Sequence, residues 1–329
     1  MIVFKKMKTL LVLICLIACF SCKDSDKEVA TDSNSKSYSN KFDNPKWVEK
    51  YSEYVSFYNE INQSLVVPMD RYNNDIPESG PKAGLSIGLI TIDDYPSEEL
   101  VEAQAIAIEI PELDAAAITV NDEFNKLIQV LDDAHVYYER KDFEEDKYAK
   151  GKKYHELVMS HSEALYTKIE TLVSKIESLE KNLHVFELER YKNEGLMMRY
   201  HMAKLVEHGE DAYAFAAVED METYAKTDSI AVDRVIQDLI KTIDEANKLG
   251  KDKERFAKEF ANLGAEIYYE EVIEEGNIMI SNLRGLKKNI RKQDFTNHSR
   301  LNYNDGDGLP NSIIVNYERI VNKYNNLIR

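Results

Sequence analysis

Apolar residues recur at steps of three and four along most of this chain, the spacing of a helix face. The clearest run is Tyr148–Tyr191. Within it Leu165, Ile169, Leu172, Ile176, Leu179, Leu183 and Phe186 form a seam of the coiled-coil a/d type, with Lys168, Glu170, Lys175, Glu177 and Lys181 elsewhere on the wheel. This predicts one long helix, packed antiparallel within its own bundle. A second face, Val232, Val235, Ile236, Leu239, Ile240 and Ile243, predicts a helix capped by Asp228 or Ser229 and ended at Gly250. Asn44-Pro45 supplies a cap and a first-turn proline for a helix running to about Val67. Residues 97–135 read as helical with a kink or break near Pro111. A long helix is expected from about Asp252 to Arg291, and a last one over Asn311–Ile328. Gly195 and Gly209 suggest further breaks.

The prolines sharpen this picture. Pro68, Pro77, Pro81, Pro96 and Pro111 fall in one early stretch, and none occurs from Glu112 to Leu309, so little there must interrupt a helix. Residues 74–96 carry Pro77, Gly80, Pro81, Gly84 and Gly88 and predict a loop-rich insertion. Within it Ser86–Asp93 has a strand-like composition but no second strand to pair with. Asn297–Pro310 reads as a loop. The expected fold class is all-α: an elongated bundle of long helices with a loop-rich insertion near residues 74–96. No linker composition follows residue 44, which predicts one helical domain over 44–329.

One apolar run has a different character. Leu10–Ser21 follows Lys5, Lys6 and Lys8 and is shorter than the ~20 residues a membrane span requires. A basic start and a short apolar core make a secretory signal, with Met7 as an alternative start. Cys22 comes directly after Ser21 and opens a polar stretch, Lys23-Asp24-Ser25-Asp26. This resembles a bacterial lipoprotein processing site, in the looser form of Bacteroidota lipoproteins, since Cys19 stands where a strict pattern has Leu or Val. The resemblance implies a lipoprotein leader over 1–21 and acyl chains, palmitate among them, on Cys22. It also implies outer-membrane attachment, facing the periplasm or the cell surface, with the acidic residues after Cys22 resembling a surface-export signal. The alternative is an ordinary cleaved signal with Cys22 incidental. Residues 22–43 are too poor in apolar groups to fold and read as a flexible tether.

Charge and cysteine usage narrow the function classes. The formal charge of −17 falls to −20 when Lys5, Lys6 and Lys8 leave with the leader. Such a chain repels nucleic acid and anionic headgroups, so no nucleic-acid partner is expected. Cys15 and Cys19 leave too, so the mature chain has no disulfide. Asp132-x-x-His135 places an acid and a histidine on one helix face, but no Glu-x-x-His unit occurs, as a di-iron bundle would need. Asn302–Gly308 lacks the first and last ligands of a hand-type calcium loop and reads as an Asp-Gly turn. No nucleophile elbow or phosphate-binding glycine loop is present. No catalytic residue, metal ligand or cofactor is therefore assigned.

Two segments echo each other. Tyr51, Tyr54, Val55, Tyr58 and Asn59 recur in spacing as Tyr317, Ile320, Val321, Tyr324 and Asn325. Each set lies on one helix face. One reading is an aromatic core stripe in which the terminal helices pack together; the other is a tyrosine-lined ligand groove. Tyr58-Asn59 near the start, with Gly308-Leu309-Pro310 opening a last helix that carries Tyr324-Asn325, resembles the YiiG-like family of bacterial lipoproteins, domain of unknown function 3829. The resemblance spans about 45–329 and implies a helical, lipid-anchored envelope protein. The expected role is a non-enzymatic binding or scaffolding lipoprotein with an unidentified protein or small-molecule partner. The alternative is a metal-binding or hydrolytic protein in which carboxylates and His135 converge inside the bundle.

Overall fold

A computed structural model describes residues 41–82, 97–218, 220–295 and 306–328. The leader, Cys22, the tether up to residue 40, residues 83–96 of the insertion and residues 296–305 lie outside the described residues. Every regular element among the described residues is helical, with no strand, so the all-α expectation holds. The chain divides into two compact units, with the boundary between Asn182 and Leu183.

In the first unit a 3₁₀ turn, Lys41–Asp43, precedes α1, Pro45–Asp75. Composition places this turn at the end of the tether, yet Phe42 is buried edge-on against Trp47 at 4.9 Å. The Asn44 side chain accepts the Lys46 N–H at 3.0 Å, as a cap should. α1 does not stop at Val67; it continues through Pro68. A mid-helix proline costs about 3 kcal/mol, because it removes an N–H and crowds the preceding turn. Leu65, Met69 and Tyr72 are all buried along this stretch. Burying such side chains contributes about 1.5–3 kcal/mol each, which outweighs the proline.

α2 covers Ser97–Ala105 and α3 covers Pro111–Glu139, so the chain breaks ahead of Pro111. Buried Lys50 holds the break: its Nζ donates to the Ile108 carbonyl at 2.7 Å and lies 2.8 Å from Asp114 Oδ1. Asp114 also accepts from Tyr54 and, at 2.9 Å, from the Ile110 N–H. Burial alone would raise the Asp114 carboxyl, but these donors hold it below the usual range. A short α4, Phe143–Asp146, leads into α5, Ala149–Asn193. The α5 seam is buried from Leu165 to Leu183, as predicted. At the next position Glu187 is buried and Phe186 only half-buried. A straight helix drifts about 20° per heptad, which carries the seam off Phe186.

The second unit contains α6, Met197–Ala216; a short α7, Met221–Ala225; α8, Ser229–Leu249; a short α9, Lys253–Glu259; α10, Ala265–Lys292; and α11, Pro310–Ile328. Asp228 caps α8 as expected, accepting the Ile230 N–H at 2.9 Å. Two expectations fail. Gly209 does not break a helix but lies inside α6, where a Cβ would come within 3.1 Å of the Tyr317 ring. The long helix from Asp252 to Arg291 is split, because Gly264 adopts φ +87 and the chain turns there. The turn lets Phe256, Phe260 and Tyr269 meet ring to ring at 5.1–5.8 Å.

The turn before α11 lies directly on α10. A Cβ at Gly308, itself at φ +68, would fall 1.9 Å from the Leu286 nitrogen. Asn282 accepts the Gly306 N–H at 2.6 Å, Asn289 donates to the Asp307 carbonyl at 2.7 Å, and the Tyr224 hydroxyl donates to the Gly308 carbonyl at 2.8 Å. Asp307 accepts the Leu309 N–H at 2.9 Å, an Asp-Gly turn leading into the last helix. No helix of the described residues is long and apolar enough to cross a membrane.

Candidate functional site

The tyrosines singled out by spacing are placed in cores. Tyr51, Tyr54 and Tyr58 are buried in the first unit, where Tyr51 stacks on Trp47 at 5.5 Å and donates to the Ile176 carbonyl at 3.2 Å. Tyr317 and Tyr324 are buried in the second unit, with Tyr317 packed 5.3 Å from Tyr213. Asn59 and Asn325 are half-buried. The two stripes fall in different units, and each takes hydrogen-bond or ring partners from its own. Burial raises the Tyr51 and Tyr54 hydroxyls far above neutrality, and burial with the Glu177 charge lifts Tyr58 to about 12. Tyr51 and Tyr54 act as neutral donors, not as bases.

Histidines and acids pair, at His135 within one helix and elsewhere between helices. The His135 Nε2 lies 3.9 Å from exposed Glu139 on the next turn of α3. Among the described residues no group of three or more His, Cys, Asp or Glu could hold a metal. Buried Glu123 of α3 instead meets His161 Nδ1 and Lys168 Nζ of α5, each at 2.6 Å, and Lys126 at 3.3 Å. The His161 hydrogen bond, followed by that from Lys168, pulls the Glu123 carboxyl down to about 2. In the second unit Glu207 is likewise drawn to about 2, first by His184, whose Nε2 lies at 2.9 Å. These clusters tie helices together and leave no carboxylate poised near neutrality.

The arrangement best suited to a ligand lies where the first unit turns from α3 into α5. Pro81 and Lys82 come from the segment after α1, Phe143 and Glu144 from α4, Lys147 and Tyr148 from the following turn, and Lys152 from α5. They line a cleft of about 650 Å³. Lys147 and Tyr148 take φ of +54 and +68 in succession. A left-handed conformation costs a non-glycine residue roughly 1–2 kcal/mol, so something must hold it. The Asp146 carboxylate accepts from the buried Tyr137 hydroxyl at 2.7 Å and from the Lys150 N–H at 2.9 Å, at the start of α5. The Tyr137 hydrogen bond, then the backbone N–H groups, keeps Asp146 below its usual range. The turn places Tyr148 in a stack with Phe143, centroids 4.9 Å apart and planes 19° apart, against Tyr137 and Tyr138.

The opposite wall is held by Gly151 and His155. A Cβ at Gly151 would come 2.7 Å from Tyr138 Oη, 3.1 Å from the Tyr137 ring and 3.3 Å from Pro81 Cγ, so glycine lets the segment lie against α5. Buried His155 has Nε2 3.2 Å from the Glu78 carbonyl and Nδ1 3.0 Å from Tyr72 Oη. A carbonyl only accepts, so the neutral ring carries its proton on Nε2 and Nδ1 accepts from Tyr72. The Tyr138 hydroxyl, packed over Gly151, is buried with no partner among the described residues.

The cleft has a lining charge opposite in sign to that of the whole chain. Its lining carries three lysines and one glutamate, net +2, in a chain of −17. Lys126, Lys168, Lys204, Lys253 and Lys323 each meet a carboxylate, whereas among the described residues Lys82, Lys147 and Lys152 meet none. Uncommitted ammonium groups beside an aromatic face are suited to holding an anion. The sequence carried a signal that went unread: Lys147, Lys150, Lys152 and Lys153 crowd around Gly151 in an acidic chain. Pro81 and Lys82, far away in sequence, carried none.

Fold and cleft together define a helical protein whose clearest chemical feature is a small basic site. The chain belongs to the family described as protein of unknown function DUF3829, which matches residues 46–328. This is the family indicated by Tyr58-Asn59, Gly308-Leu309-Pro310 and Tyr324-Asn325. No curated protein and no solved structure matches the chain.

Proposed function

We propose that the protein is a non-enzymatic binding protein of the bacterial cell envelope, held at the outer membrane by acyl chains on Cys22. The binding half of this reading is carried by one observation, a cleft of net +2 whose three lysines meet no carboxylate among the described residues, on a chain of −17. Three exposed lysines around one cleft give a local positive potential on an acidic protein, and an anion is the ligand charge such a rim attracts. Support for the anchor comes from Lys5, Lys6 and Lys8, the Leu10–Ser21 run and Cys22. Because the body is too acidic to bind anionic lipid by charge, lipidation is what would keep it at a membrane.

Each half has its own test. Fractionation of cells carrying the wild-type chain or Cys22→Ser should move the variant from the membrane to the soluble envelope fraction. Mass spectrometry should find acyl chains on Cys22, and an unmodified amino terminus on the exported chain overturns the anchor. A thermal-shift screen against a chemically broad panel of small molecules tests binding, because a ligand taken up only by the native state raises its stability. A panel with no stabilising compound overturns the binding half.

A further inference from the structure

We infer that the cleft between Lys82, Lys147 and Lys152 takes a small ring compound bearing one carboxylate and at least one hydroxyl. This deepens the binding reading above by naming the ligand's chemistry. The three exposed ammonium groups favour an anion. They are point charges without the planar fork of arginine, so they select charge and not a bidentate shape. Glu144 stands in the same lining and meets no cation among the described residues. A carboxylate there repels a dianion such as phosphate and accepts a hydrogen bond from a ligand hydroxyl.

The Phe143–Tyr148 stack supplies the third element. Both rings line the cleft and are half-buried, which offers a flat apolar surface to the face of a ligand ring. A volume of about 650 Å³ lies within the range of small-molecule sites and accommodates one or two rings. The successive left-handed residues Lys147 and Tyr148 bring a charge and a ring to the same rim. Strained backbone of this kind clusters at binding sites.

Two sources share this chemistry, an acidic sugar and a hydroxylated aromatic acid. Calorimetric titration of the full-length chain with sodium glucuronate, 4-hydroxybenzoate, glucose and inorganic phosphate separates them. At least one of the two ring acids should bind, at least tenfold more tightly than glucose or phosphate, and the tighter acid identifies the source. Lys147→Ala and Lys152→Gln should each weaken that binding at least threefold, and about tenfold together, with unchanged melting temperatures. Lys323→Ala, which removes a 2.9 Å pair with Glu271 in the second unit, should leave binding as it is. Phosphate binding best, glucose binding as well as glucuronate, or lysine variants that bind like wild type would each overturn the inference. So would the failure of both acids at millimolar concentration. If another compound of the broad panel then stabilises the protein, the binding reading stands without this ligand class.

Discussion

In both units a non-helical segment is laid along a helix at a glycine, and the two contacts end differently. In the second unit the Gly306–Gly308 turn meets α10 backbone to backbone. Asn282, Asn289 and Tyr224 take up its N–H and carbonyl groups. In the first unit the segment ending at Lys82 meets α5 over Gly151, and side chains make the contact. His155 takes up the Glu78 carbonyl, but among the described residues the Tyr138 hydroxyl and three lysines have no partner. A backbone contact with its polar atoms paired is closed and leaves nothing for a ligand. A contact made through large side chains leaves space and unspent polar groups at its edge.

The sharpest way to break this comparison is Gly308→Ala. The new Cβ would meet backbone atoms that cannot swing aside, at a φ that L-residues avoid. The expected loss is about 3 kcal/mol or more in denaturant unfolding. Gly151→Ala should cost less, about 2 kcal/mol, because the nearest obstacle is the end of a tyrosine side chain. It should also weaken any ligand of the cleft, whereas equal costs for the two variants would erase the distinction drawn between them.

Removing a charge comes next. Glu123→Gln should cost about 1.5 kcal/mol at neutral pH, since charge-assisted hydrogen bonds from His161 and Lys168 are lost. Its folded-state carboxyl titrates near 2 against an ordinary value of 4.5, so the unfolded chain takes up the proton first as pH falls. The contribution is complete above about 4.5 and disappears as pH drops through 2. Acid unfolding of Glu123→Gln should therefore show a shallower slope in that window. Glu207→Gln in the second unit should show the same sign with a smaller amplitude, because that side chain is 32% exposed. The smallest effect expected is a gain of about 1 kcal/mol from Pro68→Ala in thermal unfolding, less than the full cost of a mid-helix proline because the packing of the half-buried ring is given up as α1 recovers a hydrogen bond.

Much of the fold was legible because its signals are local. The α5 seam, the Asp228 cap of α8, the break before Pro111 and the proline-led last helix depend on residues within a turn or two of one another. The failures share a different cause. Gly209 reads as a breaker, but it provides room for Tyr317, which lies far along the chain. Gly264 reads as an ordinary helix position, but the aromatic cluster of Phe256, Phe260 and Tyr269 packs around a turn there. Pro68 should end α1, but buried Met69 and Tyr72 carry the helix past it. The tyrosine stripes were legible as buried faces, and their similarity said nothing about which unit each would join.

The chain alone therefore determined that this protein is helical, where most helices begin and end, and which faces are apolar. Periodicity and capping act over a few residues and are written directly in the order of side chains. Tertiary structure decided which glycine serves as space and which as a turn, which lysines find carboxylates, and which come to line one cleft. Those outcomes depend on atoms brought together from distant parts of the chain, such as Lys82 and Lys152 around one cleft. Burial and pairing are properties of the packed neighbourhood, and no local pattern encodes them.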